Sequence, residues 1–170
     1  MPTSRLILWV RALSWACPSD PAASIVRTGP KHDTLTIHAT TVALKGCAVL
    51  IRGASGRGKS RLALEMIGQG ALLVSDDRTV LWRAGDALMS DAPDAIRGQI
   101  EARGVGLLNA PHAGPCRVVL VADLDRIETE RLPQPCVTEI LGVELPVQGF
   151  SEMTCFSAAL LLYLGHGRYA

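Results

Sequence analysis

Gly53-Ala54-Ser55-Gly56-Arg57-Gly58-Lys59-Ser60 fits G-x-x-x-x-G-K-[ST], the pattern of a phosphate-binding P-loop. The glycines let the backbone curl until its N–H groups face one anion, and a helix start behind them adds unpaired donors. Lys59 is placed to reach the β- and γ-phosphates of a nucleoside triphosphate such as ATP, and Ser60 to ligate Mg²⁺. All eight residues, Gly53, Ala54, Ser55, Gly56, Arg57, Gly58, Lys59 and Ser60, are therefore expected to bind nucleotide.

Such a loop needs a carboxylate for the metal and sometimes a second to activate the attacking group. Two candidates end buried runs. Asp123 closes Val118-Val119-Leu120-Val121-Ala122, and Asp76-Asp77 closes Leu72-Leu73-Val74. Length of the run favours Asp123 slightly. Adjacency favours the pair, because crowded anions raise the pKa of one member and suit it to acid–base work. His38 lies just ahead of the loop, and Glu101 and Arg103 flank Ala102, so an extended segment would point both the same way. A carboxylate near metal and a guanidinium on phosphate would follow from that placement. A solvated histidine and a surface ion pair are the plainer readings of the same residues.

The elements that must hold these groups can be read from patterning. Residues 34–44 alternate and are rich in β-branched side chains, which predicts a strand. Ala48-Val49-Leu50-Ile51 predicts a buried strand into the loop, and Arg61 to Ile67 a helix out of it, stopped by Gly68 and Gly70. Further strands are expected at 71–75 and 116–123, and one or two within 136–147. A hairpin is expected across Gly85-Asp86, one or two helical turns at 92–97, and an apolar helix over 152–164. Residues 100–108 contain a glycine-rich segment, Arg103-Gly104-Val105-Gly106. Strands outnumber helices, so a mixed sheet with flanking helices is expected instead of regular β–α alternation.

The chain of 170 residues is long enough for one domain with a substantial core, and it is 48% hydrophobic. A net charge of +1 and 4% aromatic residues argue against nucleic acid or anionic lipid as partners. The five cysteines are widely spaced with no C-x-x-C, which predicts reduced thiols and no zinc site. Residues 6–16 are apolar but interrupted by Arg11 and too short to span a bilayer. With the prolines at 18, 21 and 30, residues 1–33 read as a poorly ordered extension or linker ahead of a domain at 34–170.

His38, the P-loop, Leu73-Val74-Ser75-Asp76-Asp77 and Glu101-Ala102-Arg103-Gly104-Val105-Gly106 occur together in an order and spacing that resemble the catalytic domain of bacterial HPr kinase/phosphorylase. The resemblance runs from about Leu35 to the C-terminal helix and is closest to short proteobacterial forms. It implies an α/β P-loop domain with a mixed β-sheet and flanking helices, akin to phosphoenolpyruvate carboxykinase. It implies ATP- and Mg²⁺-dependent phosphorylation of a serine on HPr, the small carrier of the sugar phosphotransferase system. Many members also reverse the reaction with inorganic phosphate. By the resemblance Asp76 would be the acid/base, Asp77 would assist with metal and phosphate, and Ser60 and Glu101 would hold Mg²⁺. Lys59 and the loop amides would cradle phosphate, with His38 by the terminal phosphate and Arg103 supporting. Asp123 falls back to a structural role. A cytoplasmic homo-oligomer, a hexamer, is implied too.

One segment departs from the family. The family usually carries basic residues, often Gly-Arg-Asn, where this chain has Pro146-Val147-Gln148-Gly149-Phe150-Ser151, here expected to be a loop. That departure favours kinase over phosphorylase activity and leaves two rivals, a non-catalytic ATP-sensing module and a small-molecule kinase on the same scaffold.

Overall fold

A computed structural model describes residues 34–168. The expected extension at 1–33 lies outside them. The strands are β1 (Thr34–Ile37), β2 (Thr40–Leu44), β3 (Cys47–Arg52), β4 (Leu72–Ser75), β5 (Thr79–Ala84), β6 (Ala87–Asp91), β7 (Gln99–Ala102), β8 (Gly106–Asn109), β9 (Cys116–Ile127), β10 (Cys136–Ile140) and β11 (Val143–Phe150). The helices are α1 (Lys59–Gly68) and α2 (Phe156–His166), with a 3-10 turn at Asp94–Ile96.

Nine strands form one sheet, in the order β1-β5-β6-β9-β3-β2-β4, with β11 and then β10 added beside β9. Pairing is parallel for β3 with β9 and for β9 with β11, and antiparallel elsewhere in this sheet. The mixed α/β architecture follows from the apolar runs. On β3, Val49 and Ile51 pack with α1 and α2 residues such as Met66 and Leu160, while Leu50 packs on the opposite face with Leu81, Leu88 and Val121. A strand buried on both faces must be apolar throughout, which is why its sequence lacks alternation.

Residues 34–44 do not form one strand. They break at His38-Ala39 into β1 and β2, opposite a second break at Asp76-Asp77-Arg78 between β4 and β5. The register is the same on both sides: Ile37 faces Thr79, and four residues on, Thr41 faces Ser75. Two long antiparallel segments are thus interrupted at the same level. Because β1 and β4 also stand at opposite ends of the strand order, the sheet curls until those ends meet. Side chains bridge the gap, with Thr41 Oγ1 and Thr79 Oγ1 3.0 Å apart and Thr79 Oγ1 donating to Ala39 O at 3.0 Å. The break costs ladder bonds that these hydroxyls partly replace.

The other differences are local. The glycine-rich segment is a separate hairpin of β7 and β8. Residues 148–150 are strand, not loop: they pair in parallel with β9, and Phe150 sits edge-to-face with Phe156 at 5.5 Å. Burying an aromatic ring against α2 outweighs the turn propensity of Gly149. Helix α2 begins at Phe156, later than expected. Cys116, Cys136 and Cys155 are free thiols, and burial pushes the Cys116 thiol up to about 11. Cys47, by contrast, is disulfide-bonded, against the expectation of reduced cysteines.

One guanidinium fixes the turn that leads into the hairpin. Arg97 donates through Nη1 to Asp91 Oδ1 at 2.6 Å and through Nη2 to Asp91 Oδ2 at 3.0 Å, Ala92 O at 3.1 Å and Asp94 Oδ1 at 3.1 Å. The Asp91 carboxylate raises the pKa of this guanidinium. Bidentate pairing of partly buried groups is among the stronger polar contacts. Arg97→Ala is expected to lower the urea unfolding free energy by about 1–2 kcal/mol, and Arg97→Lys to recover less than half of it because an ammonium cannot pair in a fork.

Candidate active site

Strand β3 delivers the chain to Gly53 at the base of the curled sheet. Gly53 has φ +148°, and a Cβ there would lie 3.1 Å from Leu124 Cβ, so this turn tolerates only glycine. Gly58 caps α1 in the left-handed region at φ 94°, with no side-chain cap. The first-turn amides of α1 are thereby left for a ligand. Lys59 is buried, and its Nζ donates to Gly53 O at 2.9 Å and Ala54 O at 3.1 Å. An ammonium held inside its own loop by two carbonyls sits centrally and exchanges those contacts for phosphate oxygens without crossing solvent.

The two interruptions of the sheet deliver the acidic groups. Asp76 is buried. Its Oδ1 accepts from Thr40 Oγ1 at 2.7 Å and from Ser60 Oγ at 2.8 Å, and its Oδ2 accepts from the Glu101 backbone N–H at 3.1 Å. One carboxylate therefore ties β2, the start of α1 and β7 together. Asp77 is turned the other way. Its φ is 64°, and the Arg78 N–H closes a γ-turn on Asp76 O at 2.7 Å. This conformation is uncommon for a residue with a side chain, and short polar residues such as Asp tolerate it best. It projects the carboxylate outward, where Oδ1 lies 3.2 Å from His38 Nε2. Both side chains are at least half exposed, at 50% and 69%.

A cavity of about 680 Å³ collects these groups. His38, Thr40, the loop from Ser55 to Ser60, Asp77, Glu101 and Arg103 all line it. Asp76 does not; it sits beneath Ser60. Glu101 comes from β7 and Arg103 from the turn that follows, and no ion pair joins them among the described residues. A second cavity of about 400 Å³ shares His38, Ser55 and Asp77 with the first and adds Thr36, Ile37 and Arg78. Of the residues singled out from the sequence, Gly53, Ala54 and Asp76 hold lining residues without lining the cavity themselves, and Asp123 stands apart. Its Oδ2 is held 3.0 Å from both Nε and Nη2 of Arg52 on the paired strand.

The sequence reading missed Asp125. Its Oδ2 accepts the Ala54 N–H at 2.9 Å and its Oδ1 the Arg57 Nε at 2.9 Å. A carboxylate two residues past the end of a buried run reads locally as a turn residue. Only the parallel register of β3 and β9 brings it under the loop.

The oxygen-only donor set fits Mg²⁺. That ion commonly takes one or two protein oxygens and completes its shell with phosphates and water, so no dedicated acidic cage is needed. Among the described residues there is no cluster of three or more His, Cys, Asp or Glu.

Comparison with known proteins points to one family. The family described as HPr Serine kinase C-terminal domain matches residues 32–147. The chain is 41% identical over 96 residues to an HPr kinase/phosphorylase of Alkaliphilus metalliredigens, covering 55% of this chain and 31% of the relative. It is 36% identical over 129 residues to that of an Acidovorax species, covering 66% and 41%, and 35% identical over 133 residues to that of Bacillus velezensis, covering 68% and 43%. The chain thus spans less than half the length of these curated relatives. A solved structure titled as the Hpr(Ser) kinase/phosphatase from Coxiella burnetii superposes with a TM-score of 0.65 at 25% identity, covering 77% of this chain and 93% of that one.

Proposed function

The chain belongs to the HPr serine kinase C-terminal domain family, and from that premise we propose that it transfers the γ-phosphoryl group of Mg-ATP to a serine of an HPr-like phosphocarrier. The observation that carries this reading is the juxtaposition, in one cavity, of a P-loop and an outward-facing His38–Asp77 pair. The first supplies a seat for the phosphates; the second supplies a base where an acceptor hydroxyl would arrive.

The roles follow from position. Lys59 and the first amides of α1 neutralise the phosphate oxygens as charge shifts toward the leaving group. Ser60 and Glu101 would hold Mg²⁺, with Asp76 fixing the Ser60 hydroxyl from below. The bound ion would supply charge neutralisation on the β- and γ-phosphates. Asp77 is the stronger candidate for the base than Asp76, because a base must reach the proton it takes. Asp76 has three donors on it and no face on the cavity. The serine oxygen bonds to the γ-phosphorus, the bond to the bridging oxygen of ADP breaks, and the serine proton passes to Asp77. His38 orients that carboxylate. Arg103, on the hairpin turn, lines the same cavity and would reach the phosphates from there. The acceptor enters from the second cavity, since that space touches Asp77 and Ser55 without touching Lys59 or Glu101.

The finer fold reading belongs to the same proposal: a P-loop domain at 34–170 akin to phosphoenolpyruvate carboxykinase, working as a cytoplasmic homo-oligomer, with hexamers expected from the family. Among the described residues no helix is long and apolar enough to cross a membrane. The segment at 148–151, where basic residues are usual in the family, lines neither cavity, which supports the forward reaction without requiring that segment. The test is to incubate cognate HPr with the protein and ATP, with Mg²⁺ or with EDTA, and to map the modified residue. Phosphoserine formed only with Mg²⁺ supports the reading. Phosphate placed only on a metabolite would replace it with the small-molecule kinase.

A further inference from the structure

We propose that Asp125 is a positioning residue that presets the phosphate-binding loop from outside the cavity. The proposal rests on the nucleotide-binding reading above. Asp125 lies just beyond the apolar core of β9, and its two carboxylate oxygens divide their work. Oδ2 takes the backbone N–H of Ala54, the second residue of the loop, and Oδ1 takes Nε of Arg57, the fifth. Two points of one loop, three residues apart, are therefore fixed to a single rigid strand. Asp125 is itself fixed. Its N–H donates to Asp123 Oδ1 at 3.1 Å, and Asp123 is held by Arg52, its register partner on β3. Close contact completes the arrangement, because the α-carbon of Gly53 approaches Leu124 too tightly to admit a side chain without displacement.

The loop needs such a brace. Gly53, Gly56 and Gly58 all carry positive φ values, and a loop this rich in glycine loses much conformational freedom on binding an anion. Restraint imposed in the free protein reduces that loss. Asp125 is absent from the lining of both cavities, so its negative charge braces the loop without standing in the phosphate seat. Pairing Arg57 through Nε also balances the Asp125 charge beside the loop.

The clamp has a stepwise test. Affinity for ATP is measured by calorimetry on the wild-type chain and on Asp125→Ala, Asp125→Asn, Arg57→Ala and the Arg57→Ala/Asp125→Asn pair, alongside thermal melts and HPr phosphorylation kinetics. Asp125→Ala removes both bonds and is expected to raise the Kd about tenfold. Asp125→Asn keeps an acceptor for Ala54 but offers an amide to Arg57, so it and Arg57→Ala should each raise the Kd about threefold. The pair should be no worse than either single change, because both remove the same contact. In Asp125→Ala and Asp125→Asn the KM for ATP should rise with kcat nearly kept, and nucleotide-free melting should move by less than about 2 °C, since Asp125 is half exposed. Wild-type affinity in Asp125→Ala, or additive losses in the pair, would overturn the clamp while leaving the nucleotide site intact. Failure of the wild-type chain to bind ATP would overturn both.

Discussion

Asp77→Asn is expected to lower phosphoryl transfer by about 10²–10⁴-fold while leaving ATP affinity within about threefold, the range for loss of a positioned general base. The substitution isolates the chemistry well. Asp77 sits at φ 64°, a conformation that Asn adopts as readily as Asp, so the γ-turn persists. The Asn amide can still meet His38 but cannot take a proton. Asp76→Asn is expected to behave differently. Thr40, Ser60 and the Glu101 N–H all donate to that carboxylate. An amide that keeps the Glu101 N–H on its oxygen turns its hydrogens toward the Thr40 and Ser60 hydroxyls, which must then rotate to accept, so charge-assisted bonds are exchanged for weaker neutral ones at a cost of about 1–3 kcal/mol. Asp76→Asn should therefore melt several degrees lower, by roughly 3 °C or more, and bind Mg-ATP more weakly because Ser60 loses its support. Paired melts and single-turnover rates separate the two. Wild-type turnover in Asp77→Asn, with turnover lost in Asp76→Asn at unchanged stability, would return the base to Asp76.

Lys59→Ala is expected to abolish transfer, with a rate loss of about 10³-fold or more and ATP binding weakened too far for calorimetry at ordinary concentrations. Lys59 is the buried cation of the loop, held by Gly53 O and Ala54 O. Its loss leaves phosphate oxygens facing amides alone. Ala54 is exposed and Gly53 half-buried, so water can replace the ammonium on both carbonyls and the melting temperature should change little. Lys59→Arg should not rescue activity, because a planar fork on a longer stem cannot occupy a pocket shaped around a compact ammonium. Transfer at wild-type rate in Lys59→Ala would remove the loop from the mechanism.

Sequence patterning reached the phosphate loop and its flanks because every part of that unit is local. The apolar run of β3, the glycines at 53, 56 and 58 and the helix from Lys59 follow one another without a gap. It did not reach the double break in the sheet. His38-Ala39 looks continuous with the β-branched residues around it, and only the pairing of residues 34–44 with residues 72–82 shows where both chains open. That opening separates the directions of Asp76 and Asp77, so adjacency alone could not distribute their roles. The β7–β8 hairpin was read only as glycine-rich because all four residues of β8 are exposed, including Leu107 and Leu108, and no buried face stamps a period of two on it. Asp125 was out of reach for a similar reason, since its partners are 68 and 71 positions away in the chain.

Phosphoryl transfer is tested most directly by the intact mass of cognate HPr after incubation with this protein and Mg-ATP. HPr should gain one phosphoryl group, located on serine, and the gain should disappear with Lys59→Ala. Unmodified HPr, under conditions where the protein binds ATP, would contradict the kinase reading and leave a nucleotide-sensing module in its place.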